Sequence, residues 1–251
     1  MNDVSYPALE TVRKATAHGA ILGDGRRLAQ ADAALLQPMH WPGAVEATGQ
    51  GGRGAVWFVR GAFGDGVLRH YRRGGLVGRV NRDRYLWQGE DATRSFREFR
   101  LLAELRDRGL PVPTPLMAGY SRYGVFYRAD LLTALIPAAQ TLAQRLHADF
   151  PAAAIWHRVG ETLARFHAQG AYHADLNAHN VMLDGNAQVW LIDFDRGELR
   201  ATAQDWQRDN LQRLLRSLRK LGAEALPGWR EAWAQLELGY ENVNNRHRVT
   251  S

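Results

Sequence analysis

The stretch from His173 to Asp195 constrains this chain more than any other part of it. It reads His173-Ala174-Asp175-Leu176-Asn177-Ala178-His179-Asn180, then Val181-Met182-Leu183 and Val189-Trp190-Leu191-Ile192 on either side of the turn Asp184-Gly185-Asn186, then Asp193-Phe194-Asp195. Two β-prone runs joined by a glycine-containing turn predict a short hairpin. Upstream, Ile155, Val159, Leu163 and Phe166 recur at helical spacing between Pro151 and Gln169, with proline near the start and Gly170 at the end. A long helix therefore delivers the chain to His173, and a hairpin separates Asn180 from Asp193. Any fold for this sequence has to place two carboxylates and an amide on a loop after a helix and at a strand end.

That combination suits Mg²⁺ and a phosphate tail, because Mg²⁺ takes a few oxygen ligands from protein and the rest from phosphates and water. In phosphoryl transfer, one aspartate orients the acceptor hydroxyl and takes its proton while an asparagine and a second aspartate hold the metal. His173-x-Asp175-x4-Asn180 with Asp193-Phe194 has that spacing. Asp175 alone is well explained as a capping residue; three groups in register are not. Asp175 is thus the expected catalytic residue, Asn180 and Asp193 are the expected metal ligands, and ATP with Mg²⁺ is the expected cofactor set. His173 reads as a hydrogen-bonding residue of the loop and His179 is unassigned. The histidine spacing matches no zinc pattern.

A phosphate-covering loop belongs upstream of such a site. Gly49-Gln50-Gly51-Gly52-Arg53-Gly54 runs into the strand-like Ala55-Val56-Trp57-Phe58-Val59-Arg60, and a turn from Gly61 to Gly66 leads to Val67-Leu68-Arg69-His70-Tyr71. Gly49, Gly51, Gly52 and Gly54 are expected to bring backbone N–H groups close to nucleotide phosphates. A plain glycine turn explains the segment taken alone, and its position upstream of the Asp175 loop strengthens the functional reading. The chain holds 32 lysines and arginines, and only Lys14 and Lys220 are lysines. No strand lysine is available for the phosphates, and Arg69 is the best substitute, although its planar fork differs from an ammonium. Arg69 needs an acidic partner on the helix expected over Thr93 to Arg108, where Phe96, Phe99, Leu102 and Leu105 form the apolar stripe. Glu98 is the choice, with Glu104 as fallback. A solvated strand arginine and a surface i,i+4 charge network are the plainer alternatives.

The remaining elements set the class. Val112 to Gly119 and Tyr123 to Asp130 read as strands, Leu131 to Ala139 as an apolar connection, and Thr141 to Leu146, Gln204 to Lys220 and Pro227 to Tyr240 as helices. The expected fold is α+β. Residues 1–45 form an N-terminal extension, 46–130 a strand-rich part with the glycine-rich loop, and 131–251 a helical part with the catalytic loop and metal site. With 45% hydrophobic and 23% charged residues the sequence is that of a globular protein, and with no cysteine it has neither disulfides nor thiolate metal ligands. No apolar run approaches the roughly 18 residues of a spanning helix, and no export signal is visible at the start. A net charge of +6 permits an anionic partner without choosing one.

Over about Gly49 to Lys220 the sequence resembles the eukaryotic-protein-kinase-like superfamily, and more closely the lipopolysaccharide kinase family. The phrases that carry the closer likeness are Val67-Leu68-Arg69-His70-Tyr71-Arg72-Arg73-Gly74-Gly75, His173 to Asn180, and Ile192-Asp193-Phe194-Asp195-Arg196-Gly197. The resemblance implies a protein-kinase-like fold of two lobes, a small strand-rich one and a larger helical one. It implies ATP-dependent phosphorylation of the 4-hydroxyl of 3-deoxy-D-manno-octulosonic acid (Kdo) on a Kdo-lipid A precursor, in lipopolysaccharide core biosynthesis. The implied location is peripheral, at the cytoplasmic face of the inner membrane. Three departures from protein kinases matter: Ala174 replaces the loop arginine, Asn177 the catalytic-loop lysine, and Asp195 the glycine of the metal-binding triplet. No Ala-Pro-Glu element follows, which argues against gated peptide binding. Arg72, Arg73, Arg79, Arg82 and Arg84 are expected to hold an anionic membrane surface or the acceptor's acidic groups, at about 1 kcal/mol per charge. Nucleic acid is not expected. The alternatives are a heptose kinase of the same family and a nucleotide-binding pseudokinase or scaffold. Intact Asp175, Asn180 and Asp193 oppose the pseudokinase reading, and the missing strand lysine is its one support.

Overall fold

A computed structural model describes residues 9–26, 32–47, 55–72 and 83–250. The chain forms two compact units, one running to Asp107 and resuming over Pro113–Leu135, the other made of Arg108–Val112 and the chain from Ile136 onward. Gly49, Gly51, Gly52 and Gly54 lie outside the described residues, as do Arg73, Arg79 and Arg82.

The first unit is a sheet with one helix. Its elements are β1 (Thr11–Thr16), β2 (Gly19–Asp24), β3 (Val45–Glu46), β4 (Ala55–Gly61), β5 (Gly64–His70), β6 (Tyr85–Leu86), α1 (Arg94–Asp107), β7 (Pro115–Tyr123) and β8 (Phe126–Ala134). The order is β1-β2-β7-β8-β5-β4-β3, with β6 on the first residues of β8, and the pairs are antiparallel. Successive strand residues face opposite sides. Leu68 therefore enters an apolar cluster with Ile21, Leu36, Val59, Met117 and Leu132, while Arg69 turns the other way, toward α1. That helix buries Phe96, Phe99, Leu102 and Leu105, and Ser95 Oγ donates to the Gly119 carbonyl of β7 at 2.8 Å.

Four sequence readings shift here. The β4–β5 turn is tighter than Gly61 to Gly66, since Gly61 and Gly64 are already paired. The next two strands begin and end later than their composition suggests: they meet at Tyr123 and Phe126 across Gly124, whose φ of 60° suits glycine. Leu131 to Ala134, read as a connection, belongs to β8 and pairs with β5. Residues read as an extension contribute a hairpin to the sheet itself, because β2 pairs with β7. The fit there is close: a Cβ on Gly19 would stand 2.1 Å from the Tyr120 carbonyl oxygen.

The second unit is mainly helical. It contains β9 (Gln140–Thr141), α2 (Leu142–Ala148), α3 (Ala153–Ala168), β10 (Ala171–Tyr172), β11 (Val181–Leu183), β12 (Val189–Leu191), β13 (Glu198–Leu199), α4 (Gln204–Lys220) and α5 (Trp229–Thr250). Thr141 and Gln144 form a capping box at the start of α2. Helices α3 and α5 cross almost backbone to backbone: a Cβ on Gly160 would meet the Leu236 carbonyl oxygen at 1.9 Å. α3 is thereby fixed along its buried face, which carries Trp156, Val159, Leu163 and Phe166. Gly170, at φ 74°, ends it and turns the chain into β10. The β11–β12 hairpin expected between Asn180 and Asp193 is present, with β9 added along β11. The whole is α+β, and among the described residues no helix is long and apolar enough to cross a membrane.

Candidate active site

In the second unit the loop after β10 is organised around His173, which is 2% exposed. Its backbone is clasped by Asn210 of α4: the His173 N–H donates to Oδ1 at 3.2 Å, and Nδ2 donates to the His173 carbonyl at 3.1 Å. The ring lies 4.6 Å from that of Phe194, which stacks in turn on Phe166 of α3. Nδ1 accepts the Asp175 N–H at 3.2 Å, and Nε2 is 2.9 Å from the Ile192 carbonyl. An acceptor at Nδ1 requires the proton at Nε2, so the imidazole is neutral and donates to Ile192. Burial lowers its pKa, which agrees with that form. One side chain thus ties the residue before Asp193 to the backbone of Asp175.

Asn180 makes a second tie. Its N–H donates to the Asn177 carbonyl and its own carbonyl accepts from the Ile192 N–H, both at 3.0 Å. Its Nδ2 donates to the Asp175 carbonyl at 2.9 Å. The amide oxygen Oδ1, the atom a hard cation prefers, is left with no hydrogen-bonded partner among the described residues. Asn177 braces the turn, with Oδ1 accepting from the His179 N–H at 2.8 Å and Nδ2 donating to the Asp175 carbonyl at 3.0 Å. The Asp175 side chain is exposed, whereas Asn180 is 7% exposed. Asp193 follows with φ of 62°, a left-handed conformation that aspartate enters more readily than most residues and that concentrates at functional sites. The structure therefore joins Asp175, Asn180 and the strand end carrying Asp193 through one set of backbone and side-chain bonds.

In the first unit Arg69 on β5 and Glu98 on α1 form an ion pair through Nη2 and Oε2. Glu98 is 3% exposed and Arg69 19%. Glu104, the fallback partner, is on the exposed side of α1. Tyr71 was not foreseen: its hydroxyl donates to the same Glu98 Oε2 at 2.6 Å and accepts from Arg69 Nη2 at 3.1 Å. The available signal was its place two residues along the strand from Arg69, hence on the same face. Asn210 was also missed, and its distance of 37 residues from His173 left no local signal. Arg72 and Arg84 are exposed.

A sequence model of the lipopolysaccharide kinase (Kdo/WaaP) family matches residues 41–240. The chain belongs to the lipopolysaccharide kinase family. It is 47% identical over 240 residues, 95% of this chain and 96% of the relative, to a 3-deoxy-D-manno-octulosonic acid kinase of Stenotrophomonas maltophilia. Proteins of that name from Xanthomonas euvesicatoria and Xylella fastidiosa are each 49% identical, over 243 and 223 residues, or 95% and 89% of this chain and 97% and 88% of the relatives. As a lipopolysaccharide kinase the chain has a protein-kinase-like α+β fold and is an ATP-using phosphotransferase acting on a hydroxyl.

The buried histidines of this kinase make its stability depend on pH. His167 of α3 has Nδ1 2.6 Å from the Tyr240 hydroxyl, and burial pulls its pKa down to about 4. His167 stays neutral in the fold while an unfolded chain takes up a proton near its ordinary value of about 6.5. Stability is thus full above pH 6.5 and is lost as pH falls from there toward 4, by about 2 kcal/mol at pH 5 for this one residue. Urea unfolding midpoints should fall between pH 7.5 and 5, and His167→Gln should flatten the fall. A midpoint independent of pH over that range would contradict the buried neutral state.

Proposed function

We propose that the protein transfers the γ-phosphate of ATP to the 4-hydroxyl of Kdo on a Kdo-lipid A precursor. The observation that carries the reading is the double tie, through His173 and through Asn180, between the Asp175 loop and the strand end that leads into Asp193. The near full-length likeness to relatives named for Kdo supplies the acceptor.

Each residue then has a task. Asp175, exposed beside buried neighbours, aligns the sugar hydroxyl and takes its proton as that oxygen bonds to the γ-phosphorus and the bond from the γ-phosphorus to ADP breaks, ADP leaving. Asn180 Oδ1 and the Asp193 carboxylate are suited to hold Mg²⁺. Among the described residues no group of three or more His, Asp or Glu side chains could hold a metal by itself, and a two-ligand site completed by phosphates and water is the kind Mg²⁺ accepts. When bound, the ion neutralises charge on the phosphate oxygens. Arg69, held by Glu98, takes the place of the strand lysine as a phosphate ligand, and the segment Gly49 to Gly54 covers the phosphates. Ala174 and Asn177, which stand where protein kinases have the loop arginine and the catalytic-loop lysine, argue away from a regulated protein acceptor. The acceptor is a lipid, so the protein works at the cytoplasmic face of the inner membrane, with Arg72 and Arg84 among the arginines that meet its anionic surface.

Phosphate transfer from ATP should be measured to Kdo–lipid IVA and, alongside, to a heptosylated acceptor. The Kdo acceptor should be phosphorylated at its 4-hydroxyl, with Asp175→Ala lowering turnover about 10³-fold. Transfer to heptose and none to Kdo would overturn the assignment. In vesicle sedimentation, Arg72→Ala/Arg84→Ala should weaken binding to anionic lipid by about 2 kcal/mol at low salt, and unchanged binding would remove these arginines from the membrane contact.

A further inference from the structure

We infer that Tyr71 is the positioning residue that makes an arginine workable at position 69. The inference rests on the reading of Arg69 as a phosphate ligand. A lysine in such a place needs only a carboxylate to hold its ammonium, a compact charge on a flexible stem. A guanidinium is planar and directional, so its usefulness depends on the orientation of its plane. Glu98 engages Nη2 of the Arg69 guanidinium.

Tyr71 adds constraints on the plane of the guanidinium. The Arg69 Cζ lies 4.7 Å from the centre of its ring, within the range of a cation–π contact. Its hydroxyl closes a triangle, accepting from Arg69 Nη2 at 3.1 Å and donating to Glu98 Oε2 at 2.6 Å. The guanidinium is held at one nitrogen by two acceptors while the aromatic ring limits its tilt. Tyr71 itself has little freedom: it is 4% exposed, and its N–H donates to the Ala129 carbonyl of β8 at 3.0 Å. A second guanidinium, that of Arg94, lies 5.6 Å from the ring centre. Burial and then the Glu98 charge hold the phenol protonated far above its ordinary range, so it remains a donor to Glu98 throughout the working pH. Alternation of the extended chain puts residue 71, just past the end of β5, on the side of Arg69, where its hydroxyl reaches Glu98.

The test is a double-mutant cycle at positions 69 and 71, with phosphate transfer measured against ATP and acceptor separately. Tyr71→Phe keeps the ring and deletes the hydroxyl; it should raise the KM for ATP about tenfold, the size of one hydrogen bond to a charged group, while the acceptor KM stays put. In an Arg69→Lys background, Tyr71→Phe should change the ATP KM less than twofold, because an ammonium does not need the platform. A Tyr71→Phe loss of equal size in both backgrounds is a packing effect and overturns the proposal, as does no loss in the Arg69 enzyme. Arg69→Ala separates the two ideas. If it leaves the ATP KM unchanged, the phosphate role of Arg69 fails; if it raises that KM and Tyr71→Phe does not, only the role of Tyr71 fails.

Discussion

The loop from His173 to Asn180 depends on a neutral imidazole kept out of water. His173 accepts the Asp175 N–H at one ring nitrogen and donates to the Ile192 carbonyl from the other, which a charged ring could not do. Burial enforces the neutral form, and Asn210 and Phe194 enforce the position. Because the two bonds reach segments 17 residues apart in sequence, the residue before Asp193 and the residue that is Asp175 move as one piece. Asn180 repeats the connection one layer on, between Ile192 and Asp175. Rigid positioning of this kind is what phosphoryl transfer asks of a protein, since little covalent chemistry is left for it to perform.

The strand-rich unit answers a different constraint, the lack of a lysine on β5. A buried carboxylate such as Glu98 is costly unless it is paired and hydrogen-bonded. Arg69 near the end of β5 and Tyr71 just past it meet both requirements from the same side of the sheet. The same alternation puts Leu68 into the apolar cluster on the opposite side of the sheet, so the strand that presents the cation is anchored by the residue beside it.

Much of the placement of the candidate site's residues was legible in the sequence because its signals are local. Asp175 and Asn180 share one loop, and a hairpin of fixed length sets Asp193 beyond them. Glu98 could be chosen because α1 has one buried face and a long arginine on the neighbouring strand had to find its partner there. Other features were hidden for physical reasons. β2 reads Gly-Ala-Ile-Leu-Gly-Asp and is buried at successive positions from Ala20 to Asp24, so it shows no alternation to mark it as a strand. The ends of β7 and β8 are set by the Gly124 turn and by pairing with β5, which outweigh the composition of Val112 to Gly119. Asn210 and the Tyr71–Glu98 bond join residues far apart in sequence, where spacing carries no information.

The division of labour on the loop is the central claim, and metal dependence tests it most directly. Phosphate transfer should be titrated with Mg²⁺ for the wild type, Asn180→Ala, Asp193→Asn and Asp175→Asn. The account predicts that Asn180→Ala and Asp193→Asn raise the Mg²⁺ concentration for half-maximal rate about tenfold or more, whereas Asp175→Asn lowers the rate at saturating Mg²⁺ and leaves that concentration in place. A shifted Mg²⁺ requirement for Asp175→Asn, with none for the other two, would contradict it.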